Sequence, residues 1–450
     1  MRSTLLQYDY HERSPRIVWL YLGLLVFFAV NALLINFFLS HIQQTTVWDW
    51  TRNYLMVRIH QSGDSWLPMR SALEYLSDGG DKGLYQQMFF AQKTKFIYPP
   101  TSLVPIEPLF RIPEGQFLTI MNWLSWIAVA LSAYFLFRVL QLLIANRYAD
   151  RQMSVRESVV VLLLSAIYTV TFYPIVKSWE LGQAQTFINL LFPIALYAFL
   201  RERQVLSGAA IGLICLIKPQ LSLMLIWGLV RRNWRFLLGL SIPVIIGLAI
   251  SILRYGWQNH LEYLQVLSYI SRYGEAFYPN QSINGFLNRL LFIGNSLKWD
   301  PHNYPPYNIF VHLGTIVSSV ALVGSAILIT ARRPSNSGNV ASLEFSIAVL
   351  SFTIASPIAW EHHYGIMLPM YAVTLVLATY FGRRMRIWLI ACLMLSFVLS
   401  SNFWQVTLLA TDSYFSFVES YLLAGALLLL GCMYYTRHIL LGSGYIQSTN

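Results

Sequence analysis

From residue 17 onward the chain alternates between long apolar runs and short stretches that hold nearly all its charge. A spanning helix needs about 20 mostly apolar residues, because the hydrocarbon core of a bilayer is roughly 30 Å thick. Runs of that kind predict helices over 17–39, 116–144, 157–176, 184–200, 236–253, 309–330, 342–359, 365–381, 387–403 and 415–436. Arg13 and Arg16 precede the first run and no small-residue cleavage site follows it, so a retained anchor is expected rather than a signal peptide.

The basic clusters between the runs orient them. Arg147/Arg151/Arg156, Arg201/Arg203, Arg231/Arg232/Arg235, Arg332/Arg333, Arg383/Arg384/Arg386 and Arg437 all belong in the cytoplasm if positive charge stays inside. Both termini are then cytoplasmic. Two long loops, about 41–115 and about 254–308, fall on the opposite side, with short turns at Lys177–Gln185 and Trp360–Tyr364. Residues 205–230 resist this scheme. They lie between two cytoplasmic clusters and must cross an even number of times, yet at 1.5 Å per residue they are too short for two full helices. Two half-length helices meeting at Lys218-Pro219 are expected, with a single long helix as the alternative. The whole is expected as an all-α polytopic membrane protein of roughly 10–12 transmembrane helices. It reads as one membrane-embedded domain, 1–450, without an internal repeat.

Composition agrees. The 450 residues are 56% hydrophobic and only 11% charged, less than half of the roughly 25% usual in soluble domains. That excludes a soluble enzyme on a single anchor, a disordered chain and a disulfide scaffold. The net charge of +11 (31 Lys+Arg against 20 Asp+Glu) reflects orientation and anionic headgroups, not nucleic acid. Cys215, Cys392 and Cys432 lie in apolar stretches, so neither disulfides nor a metal cluster is expected.

The polar chemistry gathers on the non-cytoplasmic side. Asp64, in Gly63-Asp64-Ser65-Trp66, precedes an amphipathic stretch, Met69–Leu76. A carboxylate at an apolar boundary can serve as a general base; the same Asp can also cap the following helix. Phe96-Ile97-Tyr98-Pro99-Pro100 leads into Thr101–Phe110, expected as a short helix at the membrane surface. Lys218 inside an apolar run suits an anionic lipid phosphate or a buried carboxylate partner. Trp360-Glu361-His362-His363-Tyr364 lacks helical metal-site spacing, so a phosphate or sugar contact competes with a plain interfacial turn. Asn280 and Gln281 offer amide donors and acceptors to sugar hydroxyls, and Arg289 a fork for phosphate. Gln183, in Glu180-Leu181-Gly182-Gln183, is a substrate edge or the start of the next helix. Walker, GxGxxG, GxSxG and external DxD patterns are absent, so a lipid is the expected sugar carrier on this face.

The order of these motifs resembles glycosyltransferase family 87. It runs through Asp64, Phe96–Pro100, Gly182-Gln183, Ile217-Lys218-Pro219, Asn280-Gln281-Ser282 with Arg289, and Ser356–His363. The resemblance extends over about residues 17–370, and the family includes mycobacterial α-1,2-mannosyltransferases. It implies a GT-C type helical bundle in a bacterial inner membrane. It also implies transfer of a hexose, commonly mannose, from a polyprenyl-phosphate donor to a lipid or glycan acceptor, without metal or cofactor. On this resemblance Asp64 takes the place of the first-loop catalytic Asp. Lys218, Arg289, His362, His363, Asn280, Gln281, Gln183 and Tyr98 become candidates for donor-phosphate or acceptor contacts. The added acidic segment Asp78-Gly79-Gly80-Asp81 departs from the family pattern, and nothing matches beyond about residue 385. A transporter or flippase of lipid-linked sugar is the competing expectation, supported by the broken stretch at Lys218-Pro219.

Overall fold

A computed structural model describes residues 62–442 apart from 80–82, 95, 148–152, 299–303, 333–337, 380 and 412, together with isolated positions at 23, 26, 30, 34 and 37. Apart from those isolated positions, the expected anchor 17–39, the start of the first loop and part of the acidic segment therefore fall outside the described residues. The protein is all-α. Among the described residues the only β pairing is a single bridge between Asn280 and Trp360.

An amphipathic helix, α1 (Trp66–Ser77), buries Trp66, Met69, Ala72 and Leu73 on one face. Those positions repeat at three and four residues, as one face of a helix requires. The expected surface helix over Thr101–Phe110 is instead one 3-10 turn, Pro100–Leu103, followed by turns. Pro105 and Pro108 explain the difference, since each lacks the N–H a continuing helix needs and clashes with the preceding turn.

Long apolar helices follow: α2 (Glu114–Arg147) and α3 (Val155–Thr171), the latter opened by a Ser154/Glu157 capping box. The run expected as one span over 157–176 is broken. Its second part is α4 (Tyr173–Glu180), bent 59° from α3, with Pro174 starting the new helix and ending the old one. Then come α5 (Gln185–Leu200), α6 (Gln204–Cys215), a 3-10 turn Pro219–Leu223, and α7 (Met224–Val230). The 205–230 stretch is thus two short helical arms broken at Lys218, as its length demands. Next are α8 (Trp234–Tyr255), α9 (Trp257–Tyr273), α10 (Ile283–Leu290), α11 (Ile309–Arg332), α12 (Gly338–Ile354), α13 (Met367–Ala378), α14 (Arg383–Ser400) and α15 (Tyr421–Gly442).

Among the described residues, four helices are long and apolar enough to cross a bilayer alone, and the bent pair α3–α4 makes five. The other helices among the described residues are shorter. Several apolar runs give up length to the breaks and 3-10 turns that carry the polar residues described below.

Packing explains the close approach of α6 to α8. A Cβ on Gly208 would sit 2.0 Å from the Phe236 carbonyl oxygen, and one on Gly212 2.4 Å from that of Leu240. Small residues four apart let two helix backbones meet, which in lipid replaces the missing hydrophobic drive between apolar helices. The centre of the bundle is α12, buried from Asn339 to Ile354. Its Phe345 lies against Phe192, Phe199, Trp227 and Phe236.

The two ends of the bundle differ. At one end Glu344 of α12 accepts from Arg231 and, at 2.7 Å, from Arg437, so two of the predicted cytoplasmic clusters meet on one buried carboxylate. At the other end the polar loops are knitted together. Ser62 N donates to Glu180 O at 3.1 Å, Gln281 N to Ala359 O at 2.8 Å, and Tyr173 N to Ser401 O at 3.2 Å.

Candidate active site

The loop carrying Asp64 is held by a turn 116 residues further on. Backbone donors from Ser62, Asp64 and Ser65 bond to the carbonyls of Glu180, Leu181 and Gly182 in step. Gly63 and Gly182 have φ of 75° and 63°, a region open to glycine at no steric cost; they let the two short segments lie side by side. Ser65 takes the N-cap position of α1 but makes no side-chain capping bond. Its hydroxyl is used elsewhere. It donates to Gln183 Oε1 at 2.7 Å, lies 2.6 Å from the Tyr98 hydroxyl and accepts from Ala184 N at 3.0 Å. Tyr98 OH also reaches Gln183 Oε1, at 2.9 Å, and Gln183 Nε2 donates to Asp64 Oδ2. Burial pushes the Tyr98 phenol well above its ordinary value, so it stays protonated.

Tyr98 and Gln183 also line a cavity of about 810 Å³, a size ordinary for a ligand site. Asp64 stands at its margin, exposed to solvent and joined to it through Gln183. Lys218, His362 and His363 line the same cavity. Lys218 precedes Pro219 and is held extended (φ −128°, ψ 90°), as a residue before proline tends to be. Among the described residues its Nζ is buried without a hydrogen-bond partner, and so are His362 Nε2 and His363 Nδ1. Burial, with the Lys218 charge added, holds both imidazoles well below their ordinary value of 6.5. Both rings are neutral at pH 7. Much of the remaining lining is apolar, with Leu223, Leu267, Val320, Val323 and Phe352. Among the described residues no three His, Cys, Asp or Glu side chains gather where they would hold a metal ion.

Asn280, Gln281 and Arg289 do not join this cavity, contrary to the sequence expectation. Arg289 is 3% exposed, and its guanidinium donates to the carbonyls of Ala276, Phe277 and Asn280 and to Ser420 Oγ, 4.0 Å from Glu419. Asn280 donates to the Glu275 and Pro357 carbonyls and accepts from Ala359 N. Gln281 bonds to the Tyr278 and Glu419 carbonyls and to the backbone N–H groups of Leu422 and Leu423. Their polar groups are used in holding the loops. The physical reason is location: amides and guanidinium in a buried loop layer must satisfy backbone groups that water cannot reach.

What they hold is the segment that presents the histidines. Trp360 pairs with Asn280, and its indole N–H donates to Glu275 at 2.5 Å. Glu361 accepts from Tyr173 and Tyr421 at 2.7 and 3.0 Å, so the 3-10 turn Glu361–Ile366 is anchored on both sides. Ser65 had no assigned role in the sequence. No local pattern marks it, since its side-chain partners lie 33 and 118 residues away.

Residues 96–357 match glycosyltransferase family 87. This chain belongs to that family. The matched part is more than half of its 450 residues and includes Tyr98, Gln183, Lys218, Asn280, Gln281 and Arg289; Asp64, His362 and His363 lie outside it. The chain is also similar to proteins named alpha-(1->3)-arabinofuranosyltransferase from two strains of Mycobacterium tuberculosis, 25% identical over 187 residues. That stretch is 41% of this chain and 40% of each relative, so the chain spans well under half the length of the curated relatives it matches. The name of these relatives concerns arabinofuranose, whereas the motif resemblance implies mannose.

Proposed function

We propose that this family 87 member is a membrane glycosyltransferase that moves a sugar from a polyprenyl-phosphate donor to a hydroxyl of a lipid or glycan acceptor on the non-cytoplasmic face of a bacterial inner membrane. The observation that carries this reading is the mixed lining of one cavity. A buried lysine and two neutral histidines, whose Nζ, Nε2 and Nδ1 atoms have no hydrogen-bond partner among the described residues, line it together with Leu, Val and Phe side chains. A sugar phosphate on a long apolar chain has that same mixed character.

The mechanism is a single inverting displacement, without a metal. The acceptor oxygen attacks the anomeric carbon while Asp64 takes its proton, and the bond from that carbon to the phosphate oxygen breaks. The charge left on the lipid phosphate is met by Lys218, with His362 Nε2 and His363 Nδ1 available to the phosphate or to sugar hydroxyls. A neutral imidazole nitrogen either donates or accepts according to its tautomer, so the pair can serve both kinds of group. Arg289, Asn280 and Gln281 support the loops in this scheme and do not touch substrate.

The test is transfer by purified protein in detergent, where there are no two compartments to transport between. Polyprenyl-phosphate mannose and polyprenyl-phosphate arabinofuranose are both offered as donors, with EDTA present. Formation of a glycosylated acceptor supports the reading, and the preferred donor names the sugar. Absence of transfer from either donor, together with movement of a lipid-linked sugar across proteoliposomes, would establish the transporter suggested by the broken helix at Lys218. Inhibition by EDTA that a divalent cation reverses would overturn the metal-free step.

A further inference from the structure

We infer that Gln183 is a positioning residue, whose carboxamide orients the Asp64 carboxylate and is itself locked in one direction by the hydroxyls of Ser65 and Tyr98. This rests on the reading of Asp64 as the base and adds to it a residue that the sequence assigned to substrate contact.

The argument is one of hydrogen-bond polarity. An ionised carboxylate only accepts, so the group facing Asp64 must be the amide NH2. The Gln183 oxygen then points the other way, toward Ser65 Oγ at 2.7 Å and Tyr98 OH at 2.9 Å; these hydroxyls also meet each other at 2.6 Å, and whichever donates across that contact, the other gives its hydrogen to the Gln183 oxygen. Reversing the amide would set NH2 against both hydroxyls and an oxygen against a carboxylate, an arrangement that loses the contact to Asp64 and repels it. Ser65 is in turn held by Ala184 N, and the Tyr98 carbonyl by Tyr85 OH at 2.5 Å. Gln183 is 3% exposed, so water does not compete for its amide. The chain of donors runs one way, from hydroxyls to amide to carboxylate. A general base needs that sort of fixed aim, because a displacement of about 1 Å can cost on the order of 100-fold in rate.

The ionisable groups around this network are Tyr98, the Lys177–Glu180 pair on the helix leading into the Gly182 turn, and Lys218, His362 and His363 on the cavity wall. A substitution at Gln183 removes none of these.

Gln183→Glu is the informative variant. It keeps the shape and still accepts from the hydroxyl pair, but replaces the NH2 with an oxygen that shares a proton with Asp64. Two carboxylates at one site hold one proton more tightly than either does alone. In the detergent assay with a polyprenyl-phosphate sugar donor, the acid limb of kcat is expected to move upward by at least one pH unit. KM for the donor should stay within about twofold, since its phosphate contacts are elsewhere. An acid limb at the wild-type position, or a KM increase with kcat unchanged, would mean Gln183 contacts substrate or merely fills space, and overturns the inference.

If the variant does not fold, Tyr98→Phe keeps the ring and removes one of the two hydroxyls. A several-fold drop in kcat at constant KM supports the inference; a raised KM with unchanged kcat overturns it. Asp64→Asn, measured in parallel, separates the two levels. Near-native turnover there removes the base itself. Loss of turnover there, with an unmoved acid limb in Gln183→Glu, removes only the positioning role.

Discussion

Thr101 Oγ1 donates a hydrogen bond to the Leu216 carbonyl at 2.7 Å, two residues before Lys218. That carbonyl belongs to the last turn of α6, where helical oxygens have no partner of their own. The first loop thereby fastens the tip of the broken pair. Thr101→Val keeps volume and removes the donor to a half-buried carbonyl oxygen. A loss of about 0.5–1.5 kcal/mol is expected, appearing as a raised donor KM in steady-state kinetics with kcat little changed. An unchanged KM would show that Lys218 is placed without this bond.

Asp64→Asn keeps the size of the side chain and an oxygen for the Gln183 amide, but removes the basicity. Turnover should fall about 10²–10⁴-fold, the usual contribution of a general base. Donor affinity, read by isothermal titration or by competition with a donor analogue, should survive. A folded variant with near-native turnover would remove the base from the mechanism.

Lys218→Met tests the phosphate contact. Loss of a charge-assisted contact to phosphate costs roughly 1.5–3 kcal/mol, so donor binding should weaken by about 10-fold or more. Stability should move the opposite way. Lys218 Nζ has no hydrogen-bond partner among the described residues, and burying an unpaired ammonium is unfavourable, so the melting temperature should hold or rise. A large drop in melting temperature at unchanged donor affinity would show that the lysine is structural.

Arg289 should behave differently. Its guanidinium satisfies three buried carbonyls and Ser420 beside Glu419. Removing one member of such a buried set costs about 3–5 kcal/mol, because its partners remain unpaired. Arg289→Met should give little folded protein by size-exclusion chromatography in detergent. If it folds normally and loses only donor affinity, the guanidinium reaches substrate after all.

The histidine pair sets a pH dependence of stability. Burial holds His362 and His363 below their ordinary value of 6.5, so below pH 6.5 the unfolded chain binds protons that the folded one does not. Stability is therefore present above about pH 6.5 and lost as pH falls below it. Glu361, raised above its ordinary 4.5 by burial, titrates with the opposite sign. The comparison that isolates the imidazole is wild type against His362→Gln. The variant's melting temperature should fall less steeply between pH 6.5 and 5; parallel curves would contradict the assignment.

The sequence by itself determined the class of protein, its apolar helices and the break at Lys218. Each follows from local counts: apolar run length against bilayer thickness, arginines between runs, and a 26-residue stretch too short to cross twice. Pro174, Pro105 and Pro108 were visible as letters, yet a bend or a lost surface helix depends on what packs around them. The tertiary structure decided which polar residues reach the cavity. Lys218, His362 and His363 do so with polar atoms unused, while Arg289, Asn280 and Gln281, equally suited by chemistry, are consumed by backbone groups in the loop layer. Ser65, Gln183 and Asp64 join through contacts that span more than 100 residues. Residue type states what a side chain can bond to; only the folded chain settles whether protein or substrate takes that bond, because a buried polar group must be satisfied by whichever neighbour the fold brings within reach.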